Sequence, residues 1–297
     1  MGFRVARIVQ DGEGNAKIRH GMQDFKVCTV SLLASDASGH NVCPRAYPIQ
    51  LFRAKRAAGE SLESIREDAH RKGLSLCSVV CVTSQSGRGR FDAITEIRAN
   101  LTRWYVEDRA SFRAHLMDEL RAYVRNAGDS VVACRPDLDS DVPWERTVPE
   151  MFDLPIRYWD YTKDSRRLGR TPANYHLTYS VHDGMTALDW QRVYDTGSNI
   201  AVVFDSIWQP AGKAPYRKFG RLPKWYTDPN GYRWRVIDGD ASDLRFLDDK
   251  NVCIGLRLKG RTWEKWFARW CGFAIKIPRA LRGLFGRIHP SEVANAA

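Results

Sequence analysis

The sequence predicts an α/β protein: a partial or distorted βα-barrel-like domain over residues 1–260, followed by a basic amphipathic helical segment over 261–297. Three observations predict it. Short Val- and Ile-rich runs alternate with stretches of helical periodicity, each run ends in a polar cluster, and near Gly260 the composition turns to Trp, Phe, Lys and Arg. Apolar strands with polar residues just past their C-terminal ends are what a parallel sheet produces, because helices cover its faces and side chains converge at the open strand ends.

In chain order, Val27 to Leu33 reads as a strand. From Pro48 to Lys72, Leu51, Ala54, Ala58, Leu62, Ile65 and Ala69 recur at three- and four-residue intervals, which predicts a helix ended by Gly73. Ser78 to Thr83 is short and β-branched, predicting a buried strand that leads into Gly87-Arg88-Gly89-Arg90. Helices are expected from Phe91 to Tyr105 and from Arg109 to Arg125, the second stopped by Gly128. Strands then follow at Val131 to Arg135, Ile156 to Asp160, Tyr175 to Ser180 and Asn199 to Phe204, with a helix from Thr186 to Tyr194 before the last. Residues 205–232 contain four prolines and read as a long loop. Strand character returns at Arg233 to Ile237, Leu244 to Leu247 and Val252 to Leu256.

The chain has 297 residues, 43% of them hydrophobic, enough to bury a core, and its net charge of +11 points to polyanionic partners. That charge is concentrated. Between Arg257 and His289 nine basic residues face one acid, Glu264, so residues 257–289 carry +8. Trp263, Trp266, Phe267, Trp270 and Phe273 form a stripe in the same segment, as in a helix that lies on an anionic membrane surface or grips nucleic acid. The simpler alternative is a last helix docked on the main domain. Seven scattered cysteines do not resemble a disulfide framework, the N-terminus lacks the apolar run of a signal peptide, and no stretch reaches the ~18 apolar residues of a membrane span. A reducing cytoplasm is the expected location.

Two thiols four residues apart, Cys77 and Cys81, with Cys43 upstream in Asn-Val-Cys-Pro, suit a soft metal or an iron-sulfur cluster. The alternative is three small buried side chains. Gly87, Arg88, Gly89 and Arg90 open a helix and suit a bound anion, or else a solvated turn. Asp139, Asp141, Asp160, Lys163, His182, Asp238, Asp240 and Asp243 fall, singly or in groups, after separate strands and would meet at one rim of a parallel sheet. Of these, Asp160, Lys163, Asp238 and Asp240 are the candidate catalytic residues.

Taken together, Asn41-Val-Cys-Pro, Cys77 to Cys81 with Gly87-Arg-Gly, Ser140-Asp-Val-Pro-Trp-Glu145, Tyr158-Trp-Asp-Tyr-Thr-Lys163, Asn174-Tyr-His-Leu-Thr-Tyr-Ser180 and Val236-Ile-Asp-Gly-Asp240 resemble an uncharacterised group of bacteriophage and prophage proteins. That group is distantly similar to phage proteins with a Cys-Pro and Cys-x-x-x-Cys-Tyr-Ala pattern, some of them suspected relatives of radical S-adenosylmethionine enzymes. The resemblance implies a four-iron, four-sulfur cluster on Cys43, Cys77 and Cys81, with S-adenosylmethionine as cofactor; otherwise zinc or no cofactor is expected. The chain departs from the pattern in Val82-Thr83 after the last cysteine and in the long interval between Cys43 and Cys77. Two functions are expected from these readings: a phage-encoded metal-dependent enzyme acting on a nucleotide, nucleic acid or peptide, or a non-enzymatic replication or host-takeover factor that binds through residues 257–289.

Overall fold

A computed structural model of the chain describes residues 7–12, 16–19, 24–81, 91–206 and 222–277. Gly87 to Arg90 and residues 278–297 lie outside the described residues. The elements in order are β1 (Gln10–Asp11), α1 (Ala16–Arg19), β2 (Lys26–Thr29), α2 (Ile49–Ala57), α3 (Leu62–Arg71), α4 (Asp92–Glu107), α5 (Arg109–Asn126), β3 (Val132–Arg135), α6 (Trp144–Thr147), β4 (Ile156–Thr162), β5 (Tyr175–Ser180), α7 (Ala187–Thr196), β6 (Ile200–Phe204), β7 (Trp225–Thr227), β8 (Arg233–Asp238), β9 (Val252–Arg257), α8 (Thr262–Cys271) and β10 (Ala274–Ile275).

The ten strands among the described residues join one sheet of order β1-β2-β3-β4-β5-β6-β9-β8-β7, with β10 beside β6. Neighbours from β2 to β8 are parallel, while the end pairs, β1 with β2 and β7 with β8, are antiparallel. The barrel-like closure expected from the sequence is not formed among the described residues, because the path of paired strands starts at β1 and stops at β7. Helix α1 is tied to the turn after β8, with Lys17 Nζ 2.6 Å from an Asp240 carboxylate oxygen.

Successive residues of the central strands enter different cores, as the two-residue period of a strand requires. Cys28, Cys134 and Tyr158 pack with Leu101 and Trp104 of α4 and Phe112 and Leu116 of α5. Their neighbours Val27, Ala133 and Trp159 pack with Ile18 and Leu244 on the other face. The β8-to-β9 crossover therefore covers the face that the long helices leave open. It contains Leu244 to Leu247, expected as a strand but observed as a 3-10 turn at Arg245–Leu247, which brings Phe246 against Trp159.

Other departures from expectation also have local causes. The single helix expected over 48–72 is two helices, since Gly59 takes a left-handed φ of 83° and Ser61 caps a new helix by accepting the Ser64 N–H. The strand expected over 78–83 is a 3-10 helix at Leu76–Val80, which packs against α8 rather than pairing in the sheet. The sheet also crosses the boundary expected near Gly260. β10 pairs with Val203 and Phe204 of β6, on the edge that β5 leaves after Ala201. No helix among the described residues is long and apolar enough to cross a membrane.

Candidate functional site

The chain leaves the sheet after β2 and re-enters it at β3, and all three candidate metal ligands lie on the first part of that excursion. The Val42 carbonyl accepts the Asp141 N–H at 3.0 Å, fixing the Cys43 loop to the residues beyond β3. Ser35, with a left-handed φ of 57°, turns its N–H toward Cys43 Sγ at 3.1 Å. Next, α2 and α3 loop out and return. The Tyr47 N–H donates to the Ser75 carbonyl at 2.7 Å and the Ser75 N–H to the Arg45 carbonyl at 2.8 Å, so the chain just after Cys43 runs beside the chain just before Cys77. The long interval between these cysteines is thus a closed helical hairpin.

The turn bearing Cys77 is clamped to the end of β5 by Asp183, a residue the sequence reading passed over although it follows His182. Its carboxylate accepts Ser75 Oγ at 2.5 Å and the Leu76 N–H at 2.9 Å, with His70 Nε2 at 3.5 Å. Burial alone would raise its pKa, but hydrogen bonds from His70, Ser75 and Leu76 win and hold it below the usual carboxylate range. Beside it, a Cβ at Gly184 would stand 2.4 Å from the Leu74 carbonyl oxygen, a contact no side chain tolerates. Gly184→Ala is expected to cost about 1–3 kcal/mol in denaturant unfolding, because backbone must move to admit one methyl.

Cys43, Cys77 and Cys81 are each partly exposed, and Cys43 feels the charge of both other thiols. Burial is the largest influence on Cys43 and pushes its thiol well up; the Ser35 N–H opposes this, while Asp141, Cys81 and Cys77 add to it. Burial likewise raises Cys77, against the Lys163 ammonium and Ser75. Lys163 is held above its ordinary pKa: burial lowers it, but Cys77, Asp141, Cys43 and Cys81 outweigh that. Of the candidate catalytic residues, Lys163 is thus the one whose charge acts on Cys77. Its ammonium lies 5.7 Å from the Phe273 ring and makes no ion pair among the described residues.

Asp160 sits beneath this mouth, enclosed in a buried network. It accepts the Asp137 N–H at 2.9 Å and Tyr175 Oη at 2.8 Å, and burial together with neighbouring Asp137 raises its pKa well above the usual value. Arg167, 1% exposed, joins this network to the mouth. Its guanidinium donates to Asp141 at 2.7 Å, to Glu145 at 3.0 Å and to Tyr175 Oη at 3.0 Å, while Asp141 also accepts the Lys163 N–H at 2.8 Å. Nothing in Ser165-Arg-Arg marked Arg167 as buried.

Burial pushes Asp137 up to about 7, against the nearby Arg167. Between the unfolded carboxyl value near ~4 and about 7, the folded protein keeps a proton that the unfolded chain has released, so stability falls as pH rises through this window. Asp137→Asn cannot lose that proton. Relative to the parent it should gain up to about 1.4 kcal/mol per pH unit between pH 5 and 7, read from denaturation midpoints.

Asp238 and Asp240 are not gathered with Asp160 and Lys163. Arg257 donates to Asp238 at 2.7 Å, and Asp240 is paired with Lys17 at 2.6 Å and Lys259 at 3.2 Å. These cations hold Asp240 well below the usual range despite burial. His182 is a buried neutral imidazole, lowered to about 3 by burial and by Lys163, and its Nδ1 accepts the Gly184 N–H at 3.1 Å. Gly87 to Arg90, the candidate anion loop, lie outside the described residues.

Among the described residues, no three His, Cys, Asp or Glu side chains converge on a single metal ion. A zinc ion needs its ligands within ~2.3 Å of one point. No curated protein and no solved structure matches the chain. The family model described as gene product 88 matches residues 8–277, and by that match the chain belongs to the gene product 88 family.

Proposed function

We propose that the chain is a phage-type iron-sulfur enzyme acting on a nucleotide, nucleic acid or peptide, with Cys43, Cys77 and Cys81 holding a four-iron, four-sulfur cluster. What supports this reading is that Lys163, just past the C-terminal end of a parallel strand where such sheets bind ligands, has its charge favoured by all three thiols, Cys77 first. A cluster with three protein ligands leaves one iron for a cofactor such as S-adenosylmethionine or for substrate, the chemistry of a radical enzyme on a barrel-like sheet. Lys163 offsets the charge of the thiolates and receives an anionic group of the substrate. Asp141 and Arg167 hold the Lys163 backbone, and Asp160 supports them from below. Iron and sulfide content of protein made without oxygen tests the reading. A colourless, iron-free preparation after reconstitution would sink it.

A second reading is favoured by a separate observation. Residues 257–289 hold most of the net positive charge, and the described part of that segment turns two tryptophans outward. This reading makes the chain a cytoplasmic factor that binds nucleic acid or an anionic membrane surface.

A further inference from the structure

Helix α8 has two unlike faces. One buries Glu264, Phe267, Ala268 and Cys271, and Phe267, Ala268 and Cys271 pack on Leu76, Val79 and Val80 of the turn that bears Cys77. The other presents Trp263 and Trp266, 48% and 50% exposed and three residues apart. Trp266 is stacked on Trp270 at 6.1 Å and 13°, and Trp270 is itself covered by the Arg66 guanidinium at 4.8 Å. Large aromatic side chains left half in water on a packed helix mark a contact surface.

Charge identifies what covers this face. Arg261 is exposed at the start of α8, and Lys265 lies between the tryptophans' turns. The neighbouring α2, joined to α8 through Phe52 and Phe267 at 5.8 Å, exposes Arg53 and Arg56. Acids paired with these helices and α3 include Glu60 with Lys55, Glu63 with Arg66 and Asp205 with Arg269, while Arg53, Arg261 and Lys265 have no ion-pair partner among the described residues. A second copy of the chain would set these cations against their like. Residues 278–297, which carry Arg279, Arg282 and Arg287, are no better suited to cover them. An anionic partner is attracted to both.

Nucleic acid would stack bases on open ring faces, but one face of Trp266 is already taken by Trp270. An interfacial layer instead accepts ring edges among cations, as amphipathic helices do on anionic lipid. We infer that α8 docks the protein on an anionic bilayer, with Trp263 and Trp266 entering the headgroup layer and Arg261, Lys265 and Arg53 meeting the lipid phosphates. This inference rests on the second reading above and narrows its partner to lipid. Because the opposite face of the same helix backs the Cys77 turn, the docked surface and the cysteine site share one wall.

The test is co-sedimentation of the full chain with phosphatidylcholine vesicles containing about one-third phosphatidylglycerol, compared with phosphatidylcholine alone. Binding is expected only to the anionic vesicles and should fall about tenfold when Trp263→Ser and Trp266→Ser are combined, with the melting temperature unchanged because both rings are half exposed. Undiminished vesicle binding by the double variant overturns the inference. So does binding to a single-stranded oligonucleotide without binding to vesicles, an outcome that leaves the second reading standing. Binding to neither overturns both.

Discussion

Serine at any one of Cys43, Cys77 or Cys81 is expected to lower iron retention at least about tenfold, from about four irons and four sulfides per chain after anaerobic reconstitution. In the proposed site all three thiols are ligands, and each lost ligand leaves a hydroxyl too hard to hold iron in its place. Cys253→Ala is the control, since that thiol is fully buried in the helix-covered core and distant in kind from the mouth. It should lose stability while its iron content per folded chain stays at the parent value. Equal iron content in all four variants would show that the bound metal is not held by the proposed ligands.

Replacing Arg167 with Met should destabilise the fold by about 3–5 kcal/mol, because it removes one partner of a buried ion network rather than the whole network. The guanidinium joins Asp141, Glu145 and Tyr175, with Asp137 4.0 Å away, so its loss leaves several carboxylates facing each other in a dry environment. The pH dependence has a definite sign. Without the cation that opposes it, the raised Asp137 pKa rises further, so the variant's deficit is largest at pH 8 and shrinks as protonation relieves the repulsion toward pH 5. Chemical denaturation at both pH values measures this; a deficit independent of pH would mean that Arg167 acts by packing alone. Since Asp141 also accepts the Lys163 N–H, the variant should in addition weaken whatever Lys163 holds.

Much of the frame was legible because its signals are local. Gly197 ends α7 and Gly128 follows α5 in the left-handed region, and the Val- and Ile-rich runs became β3, β4, β5, β6, β8 and β9 close to where their composition put them. The misreadings lie where tertiary contacts override a short apolar run. Leu76–Val80 satisfies its apolar side chains against α8, and Leu244 and Phe246 satisfy theirs against Trp159 and its neighbours, so neither stretch needs a strand partner. The site divides in the same way. Lys163 does follow the end of β4, as its position after a Val- and Ile-rich run implied, but Asp238 and Asp240, equally prominent in the sequence, are tied to Lys17, Arg257 and Lys259.

By itself the sequence determined the α/β alternation, the chemical inventory of thiols, carboxylates and one rim lysine, and the cationic end of the chain, since each is written in residue type and short-range period. Only the tertiary structure decided which of those groups meet. The Ala46–Ser75 bridge and the Asp183 clamp close the α2–α3 hairpin and join cysteines that are remote in the chain, while charge pairing draws the β8 aspartates elsewhere. Such contacts depend on three-dimensional closure and on competition among partners, and no local pattern encodes either.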